Sequence, residues 1–466
     1  MYWGNFLHLY QPPTQKKNWV NRIAREAYRP IVSGLLERPS VKITFNINGV
    51  LLELLQQHGD GDIIKIIGQL LERGQIELTG SAKYHPLLPF LPDHEIKRQI
   101  ELNEETLRHY FGQHWKKSGF FPPEMGFDLR VAQIVKDMGY QWIIADELSY
   151  PGVRESIDYS KRYTISGLGD FGIYFRERKM SWYILSGQIG TGNLMVQSLG
   201  SRLTSGEYLL TAMDGETFGH HRPGLEQLLF EISTNEKLET VLISDLAGLF
   251  ANTRAVEPLP STWALMEKDL EEKKPFSRWK DPDNEIQGYQ WELTQMAIDL
   301  IAEADTSDPN FSTARTVVDR ALHSDQYWWA SARPWWSIEM IERGAKELIG
   351  AVTLTPGASE HDRLKAQKLY YAIIETAFNW QRAGIVDERA HKEDEDIRQR
   401  TDSSLPHLPA SEIDKMTIEL TKQLKQVVAA QEFERAAHIR DRIAELNKYK
   451  KEQHPFALSA EGDKEW

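Results

Sequence analysis

The sequence predicts an α/β fold with a largely parallel sheet, followed by a helical domain and a C-terminal helical hairpin. Three observations carry this. From Met1 to about Asn252, strand-like runs alternate with amphipathic helical stretches, the βαβ rhythm of parallel sheets. Beyond Glu257-Pro258-Leu259-Pro260 the chain turns helical and rich in tryptophan. A Ser- and Pro-containing stretch, 402–409, then precedes two further amphipathic helices.

The apolar run Tyr2-Trp3-Gly4-Asn5-Phe6-Leu7 reads as a first strand that carries His8 at its end. Val41 to Ile47 reads as a strand, Gly61 to Arg73 as a helix and Gln75 to Thr79 as the next strand. Gly119-Phe120-Phe121-Pro122-Pro123-Glu124 places a carboxylate on a strand-to-helix loop, its backbone limited by two prolines. A helix from Leu129 to Met138 and a strand from Gln141 to Ala145 follow. Between Tyr150 and Gly206 the alternation loosens into glycine-rich and short β-like pieces, read as an insertion near the site. Glu207 to Met213 has the length and apolar content of a buried strand. It leads into Asp214-Gly215-Glu216-Thr217-Phe218-Gly219-His220-His221-Arg222, where two carboxylates, two imidazoles and a guanidinium are crowded together.

Asp214 and Glu124 therefore sit at the carboxyl ends of strands, where α/β folds build their active sites. Each has a plainer reading: Asp-Gly is a common turn dipeptide, and Glu124 alone suits a helix start. The clustering of ionisable groups around both favours chemistry. Two carboxylates on separate strand ends suit glycoside hydrolysis, one attacking the anomeric carbon and the other protonating the leaving oxygen.

Five ordered segments carry a resemblance to a known family: His8-Leu9-Tyr10-Gln11-Pro12; Gly74 to Gly80 leading into Tyr84-His85-Pro86; the Glu124 segment; the Asp214 segment; and Ser324-Asp325-Gln326-Tyr327-Trp328-Trp329. In these the chain resembles glycoside hydrolase family 57, whose members act on α-glucans. The resemblance implies a (β/α)7 barrel, with Glu124 as catalytic nucleophile and Asp214 as general acid and base of a retaining double displacement. It implies that His8, His85, Glu216 and Asp325 line the sugar site, and His220 and Trp328 are grouped with them as substrate-binding candidates. Tyr10 stands where the family commonly has a second histidine, and Trp329-Ala330 where it often has His-Gly, departures that bear on substrate identity. No cofactor and no metal are expected. A metal-dependent deacetylase is the weaker reading, because neither His8 nor His85 has a close ligand partner in sequence and His220-His221 do not share a helical face.

The implied organisation is a barrel over residues 1–256, a helical domain over 257–400, a linker over 401–410, a hairpin over 411–450 and a flexible tail over 451–466. Most of the tryptophans after Pro260 are expected in the helical core, with Trp328 and Trp329 the exceptions beside Asp325. In the hairpin, Phe433-Glu434-Arg435-Ala436-Ala437 through Arg440-Asp441 to Leu446 resembles the UVR motif. Phe433, Ile439, Ile443 and Leu446 are expected to form its apolar stripe. So short a hairpin buries little alone, which implies docking on a protein partner or a second copy through Ser411 to Lys450.

With 55 basic and 68 acidic residues the net charge is −13, the wrong sign for a nucleic-acid binder. The absence of cysteine rules out a disulfide framework and a thiolate nucleophile. No apolar run approaches the ~20 residues of a membrane span, and no signal-peptide pattern opens the chain, so a soluble cytoplasmic protein is expected. The leading expectation is an α-glucan hydrolase or glucanotransferase; the alternative is a carbohydrate-binding sensor or scaffold that reports through the hairpin.

Overall fold

The computed structural model describes residues 1–333, 335–401, 410–431 and 433–453. Its strands are β1 (Tyr2–Leu9), β2 (Ile43–Ile47), β3 (Ile76–Leu78), β4 (Gly119–Phe120), β5 (Trp142–Asp146), β6 (Arg162–Ile165), β7 (Gly172–Arg176), β8 (Tyr208–Asp214), β9 (Glu239–Val241) and β10 (Thr253–Val256). β3, β2, β1 and β8 pair in parallel in that order, and β4, β5 and β7 form a second parallel group.

Two seams join these groups into a ring. Just past β3, the Gly80 N–H donates to the Gly119 carbonyl at 2.8 Å and its carbonyl accepts from Phe121 N–H at 2.9 Å. Just past β7, Glu177 N–H donates to the Leu210 carbonyl at 2.8 Å. The cyclic order is β1-β2-β3-β4-β5-β7-β8, which is the expected (β/α)7 barrel. β6 lies outside the ring, antiparallel to β7, and β9 flanks the start of β1.

The stretch 150–206 is thus not wholly an insertion, because it supplies β7. Four of the five β7 residues are buried, with Gly172 alone at the margin. The short run Ile173-Tyr174-Phe175 follows the glycine-rich stretch Gly167 to Gly172 and leads within three residues into the helix Arg178–Leu185, which obscured the period of a barrel strand in the sequence.

Barrel strands buried on both faces explain the near-continuous apolar runs. The interior is nevertheless threaded with hydrogen-bonded polar groups. Trp3 Nε1 donates to Thr211 Oγ1 at 2.9 Å, Thr211 to Asn5 at 3.1 Å, and Asn46 Nδ2 to Thr79 Oγ1 at 3.1 Å. Each orphaned partner there would cost about 1–3 kcal/mol, so these groups specify strand register.

Helices Glu285–Glu303, Phe311–Ala321, Ile338–Leu354 and Glu360–Ala383 share a core that includes Leu293, Ala297, Val318, Ile341, Leu348 and Ile373. This layer is fastened to the barrel by Arg315, which grips Glu95 with two hydrogen bonds at 2.7 and 2.9 Å. Arg98 holds Asp319 in the same bidentate way, at 2.8 and 2.7 Å. The short helix Asp325–Trp328 is thereby held against the barrel's carboxyl-end mouth.

The C-terminal helices run Ala410–Ala429 and Phe433–Gln453. Ile413, Met416, Leu420, Ile439 and Leu446 are buried in the same apolar cluster as barrel-side Met180, Ile189 and Leu225. The hairpin therefore finds an apolar partner within its own chain. Phe433 is 67 % exposed, outside the stripe expected for it, because the face bearing Ile439 and Leu446 is the one turned to the barrel. Of the expected linker, 401–410, only the helical ends Thr401 and Ala410 are among the described residues; of the expected tail, 451–466, residues 454–466 lie outside them. Among the described residues no helix is long and apolar enough to cross a membrane.

Candidate active site

The strand ends converge on one mouth. His8 on β1 pairs in register with Asp214 on β8, and Asn46, Glu124, Asp146 and Arg176 lie at or just beyond the ends of β2, β4, β5 and β7.

Glu124 follows Pro122 and Pro123 in a tight turn with φ 61° and ψ 18°. That left-handed backbone is unfavourable for a non-glycine residue, and such strain concentrates at functional sites. Glu124 is not a helix cap; Asp128 caps the following helix, accepting from Val131 N–H at 2.6 Å. Trp263 Nε1 donates to Glu124 Oε2 at 2.9 Å, and Ser324 Oγ donates to Oε1 at 3.1 Å. Its side chain keeps 15 % of its exposure, enough to meet an entering ligand. Burial, with the charges of Asp325 and Asp214, pushes it up to about 8.

Asp214 ends β8, and burial raises it to about 6 against the opposing pull of the Arg176 guanidinium. Glu216, two residues on, accepts from the Tyr28 hydroxyl and from Gln11 Nε2 at 3.1 Å. Burial and the Asp214 charge lift it to about 8.

A wall of rings faces these acids. Tyr10 stacks on His85 at 4.0 Å between centroids, and His85 on His8 at 4.9 Å. Burial holds His8 down to about 4, with its Nδ1 2.8 Å from Asn46 Oδ1. His85 is also depressed by burial, then by the charge of His8. Its Nδ1 lies 3.0 Å from Ser324 Oγ, whereas its buried Nε2 has no hydrogen-bond partner. Burial alone would raise Asp325, but His323, at 3.3 Å, and the Tyr10 hydroxyl, donating at 2.6 Å, keep it below its ordinary value.

The structure thus brings together Glu124, His8, His85 and Asp325, with Asp214 on the strand beside His8 and Glu216 two residues further on. Trp328 lies one helical turn past Asp325, 5.0 Å from Trp279 and 6.2 Å from the half-exposed Trp335. His220 turns elsewhere: its Nδ1 lies 2.6 Å from Glu26 Oε2, and Trp19 meets its ring edge-on. It braces the Asp214 loop from behind. Among the described residues, no group of three or more His, Cys, Asp or Glu side chains is placed to hold a metal ion.

Three contributors were not singled out from sequence. Trp263 was assigned to the helical core, yet its indole holds Glu124, and its carbonyl accepts from Arg176 Nη1 at 3.3 Å. Ser324 touches both Glu124 and His85. Arg176 hides at the end of a strand read as part of an insertion; a lone arginine closing an apolar Ile-Tyr-Phe run was its one signal.

Gly219 shows how closely the Asp214 loop is fitted. Its φ is +119°, and an added Cβ would lie 2.1 Å from the Glu26 carbonyl oxygen. Gly219→Ala is expected to cost at least about 2 kcal/mol and to separate His220 from Glu26. Thermal unfolding checks this; an unchanged midpoint would show that the loop is free to shift.

The sequence profile of glycosyl hydrolase family 57 matches residues 6–259, over half of the chain, and that of the UvrB/uvrC motif matches residues 414–449. An α-amylase of Pyrococcus horikoshii is 24 % identical over 277 residues, covering 57 % of this chain and 43 % of that protein. A 4-alpha-glucanotransferase of Thermococcus litoralis is 22 % identical over 281 residues, covering 58 % and 42 %. The chain spans less than half the length of these two curated relatives. Among solved structures, the 4-alpha-glucanotransferase of Thermococcus litoralis superposes with a TM-score of 0.61 at 18 % identity, over 75 % of this chain and 59 % of that one. A GH57-type branching enzyme of Pyrococcus horikoshii also gives 0.61, at 14 % identity, over 81 % of this chain and 96 % of that one. With its seven-stranded barrel and the profile match across it, the chain belongs to glycosyl hydrolase family 57, and its C-terminal hairpin carries the UVR motif.

Proposed function

We propose that the protein is an α-glucan hydrolase or glucanotransferase that works by double displacement with retention of configuration. Glu124 attacks the anomeric carbon, and Asp214 protonates the leaving oxygen. Asp214 then takes the proton from an incoming water or sugar hydroxyl, and Glu124 departs. The observation that carries this reading is two carboxyls at one barrel mouth, both raised by burial and near enough for the charge of Asp214 to act on Glu124.

Two donors already point at the Glu124 oxygens, which favours its carboxylate as the bond to sugar breaks. The unpartnered Nε2 of His85 and the carboxyls of Asp325 and Glu216 are suited to sugar hydroxyls, and Trp328 to the apolar face of a pyranose. Tyr10 occupies Asp325 and covers His85, so a sugar reaching them must displace its hydroxyl. His220 serves the substrate indirectly, by holding the loop that carries Glu216.

Burial raises both carboxyls, Glu124 to about 8 and Asp214 to about 6, so between these values the catalytic pair holds one proton. The reactive form carries that proton on Asp214 and leaves Glu124 ionised, an arrangement that sugar binding and positive charge developing at the anomeric carbon favour. Below about 6 both groups hold protons and the nucleophile is blocked; above about 8 neither does and the acid is lost. The profile of kcat/KM against pH is therefore expected to be a bell with limbs near these two values, belonging to the pair. A flat profile from acid to alkali would contradict a one-proton dyad.

Incubation with malto-oligosaccharides, glycogen and pullulan tests the substrate class. Shorter products alone indicate hydrolysis, and longer ones indicate transfer. Sugar binding without bond cleavage would replace the enzyme by a carbohydrate sensor. The hairpin keeps Ile418, Val428 and Phe433 exposed, which leaves its outer face open to a protein partner or a second copy.

A further inference from the structure

Where the hairpin meets the barrel it encloses a cavity of about 440 Å³, within the size range of small-molecule sites. The junction around it is tight. At Gly190 an added Cβ would lie 2.0 Å from Met416 Cε, and Arg435 of the second helix pairs with Glu226 at 3.4 Å. Arg222 lines the cavity from the barrel, and Arg442 lines it from the hairpin.

The charges on these walls are unequally engaged. Glu419 pairs with Lys422 at 3.1 Å, and Glu231 accepts from the Gly192 N–H at 2.9 Å. Arg442 donates to Glu445 at 2.7 Å and to the Gly187 carbonyl at 3.0 Å. Glu445, the acid that acts on Arg222, is thus already held. Arg222 makes one long hydrogen bond, from Nε to the Leu185 carbonyl at 3.4 Å, and has no ion pair among the described residues. Its terminal nitrogens have no hydrogen-bond partner there. Burial, and then the charge of Arg442, depress its basicity, and the one acid that counters them, Glu445, is engaged by Arg442.

We infer that this cavity binds a phosphate-bearing anion, gripped by Arg222 of the barrel and Arg442 of the hairpin. Planar guanidinium forks match the spacing of phosphate oxygens, and two such forks offer more donors than one carboxylate accepts. The cavity exceeds the size of inorganic phosphate, so it has room for the organic part of a phosphate ester. The site is also wired to the acid/base loop. Arg222 forms an isolated bridge with Phe218, and the Glu216 carbonyl accepts from His220 and His221 N–H at 3.1 and 2.8 Å. A bound anion would tie the hairpin to the loop that bears Glu216.

The test is calorimetric titration of the full chain with inorganic phosphate, a hexose phosphate and glucose, with hydrogen exchange followed in parallel. Both phosphates are expected to bind and glucose to leave the cavity empty, with slower exchange in residues 187–193 and in Ala410–Ala429. Arg222→Met should weaken binding by about tenfold or more. Because Arg222 makes a single long hydrogen bond, this variant should fold with a Tm near that of the wild type, which circular dichroism verifies. Tighter binding of the hexose phosphate would identify an organic phosphate as the ligand, and equal binding phosphate itself; either supports the site. No binding at millimolar phosphate, binding unchanged in Arg222→Met, or protection confined to other segments would overturn it.

Discussion

Replacing Glu124 with alanine is expected to abolish turnover of α-glucans, and azide to restore a product of inverted configuration. The loss is expected to be at least about 10³-fold in kcat, since no other group can form the covalent intermediate. The inversion follows from geometry. A sugar donor such as an α-maltosyl fluoride sheds fluoride without needing a proton, so an anion occupying the space of the lost carboxylate attacks from the nucleophile's face. The carbon–fluorine bond breaks, a carbon–nitrogen bond forms opposite to it, and the product is the β-azide. Trp263 Nε1 and Ser324 Oγ, which hold the carboxylate at 2.9 and 3.1 Å, remain to receive the anion. Residual turnover with retention in this variant would remove Glu124 from the role.

Asp214→Ala should behave differently although it sits in the same mouth. Turnover of natural glucans is expected to fall by about 10²–10⁴-fold, because the alkoxide leaving group loses its proton donor. With the maltosyl fluoride the first step survives, and deprotonation of the acceptor becomes the slow one. A glycosyl-enzyme then accumulates on Glu124 and is detectable as a mass increase on the peptide that carries it. Added azide, which needs no base, should discharge it to the α-azide. Opposite azide stereochemistry in the two variants distinguishes nucleophile from acid/base more sharply than loss of activity does. Identical stereochemistry would mean that the assignment is wrong.

Much of this site was legible because it is built from strand ends. Asp214 follows a run whose apolar content marks a buried strand, and Glu124 lies between two prolines and a capped helix, so both local patterns pointed to the carboxyl edge of the sheet. Groups that act through tertiary contact left no such trace. Trp263 is one tryptophan among many until the fold lays its indole on Glu124. Arg176 was hidden because β7 is short and follows a glycine-rich stretch, and its influence on Asp214 depends on ring closure between β7 and β8. His220 shares its loop with Glu216, but its own ring turns back to Glu26, a tertiary contact that sequence proximity does not reveal. The hairpin's sequence implies docking on a protein partner or a second copy, whereas the apolar surface it meets is the barrel of its own chain, since complementarity to residues some 200 positions earlier is a property of the folded surface.

The most direct measurement is the configuration of the first product released from a malto-oligosaccharide, followed by proton NMR before mutarotation. An α-anomer formed first by the wild type, lost with Glu124→Gln and slowed by at least about 10²-fold with Asp214→Asn, is the result expected of a retaining double displacement at this mouth. A β-anomer formed first, α-product that persists with Glu124→Gln, or an undiminished rate with Asp214→Asn would contradict it.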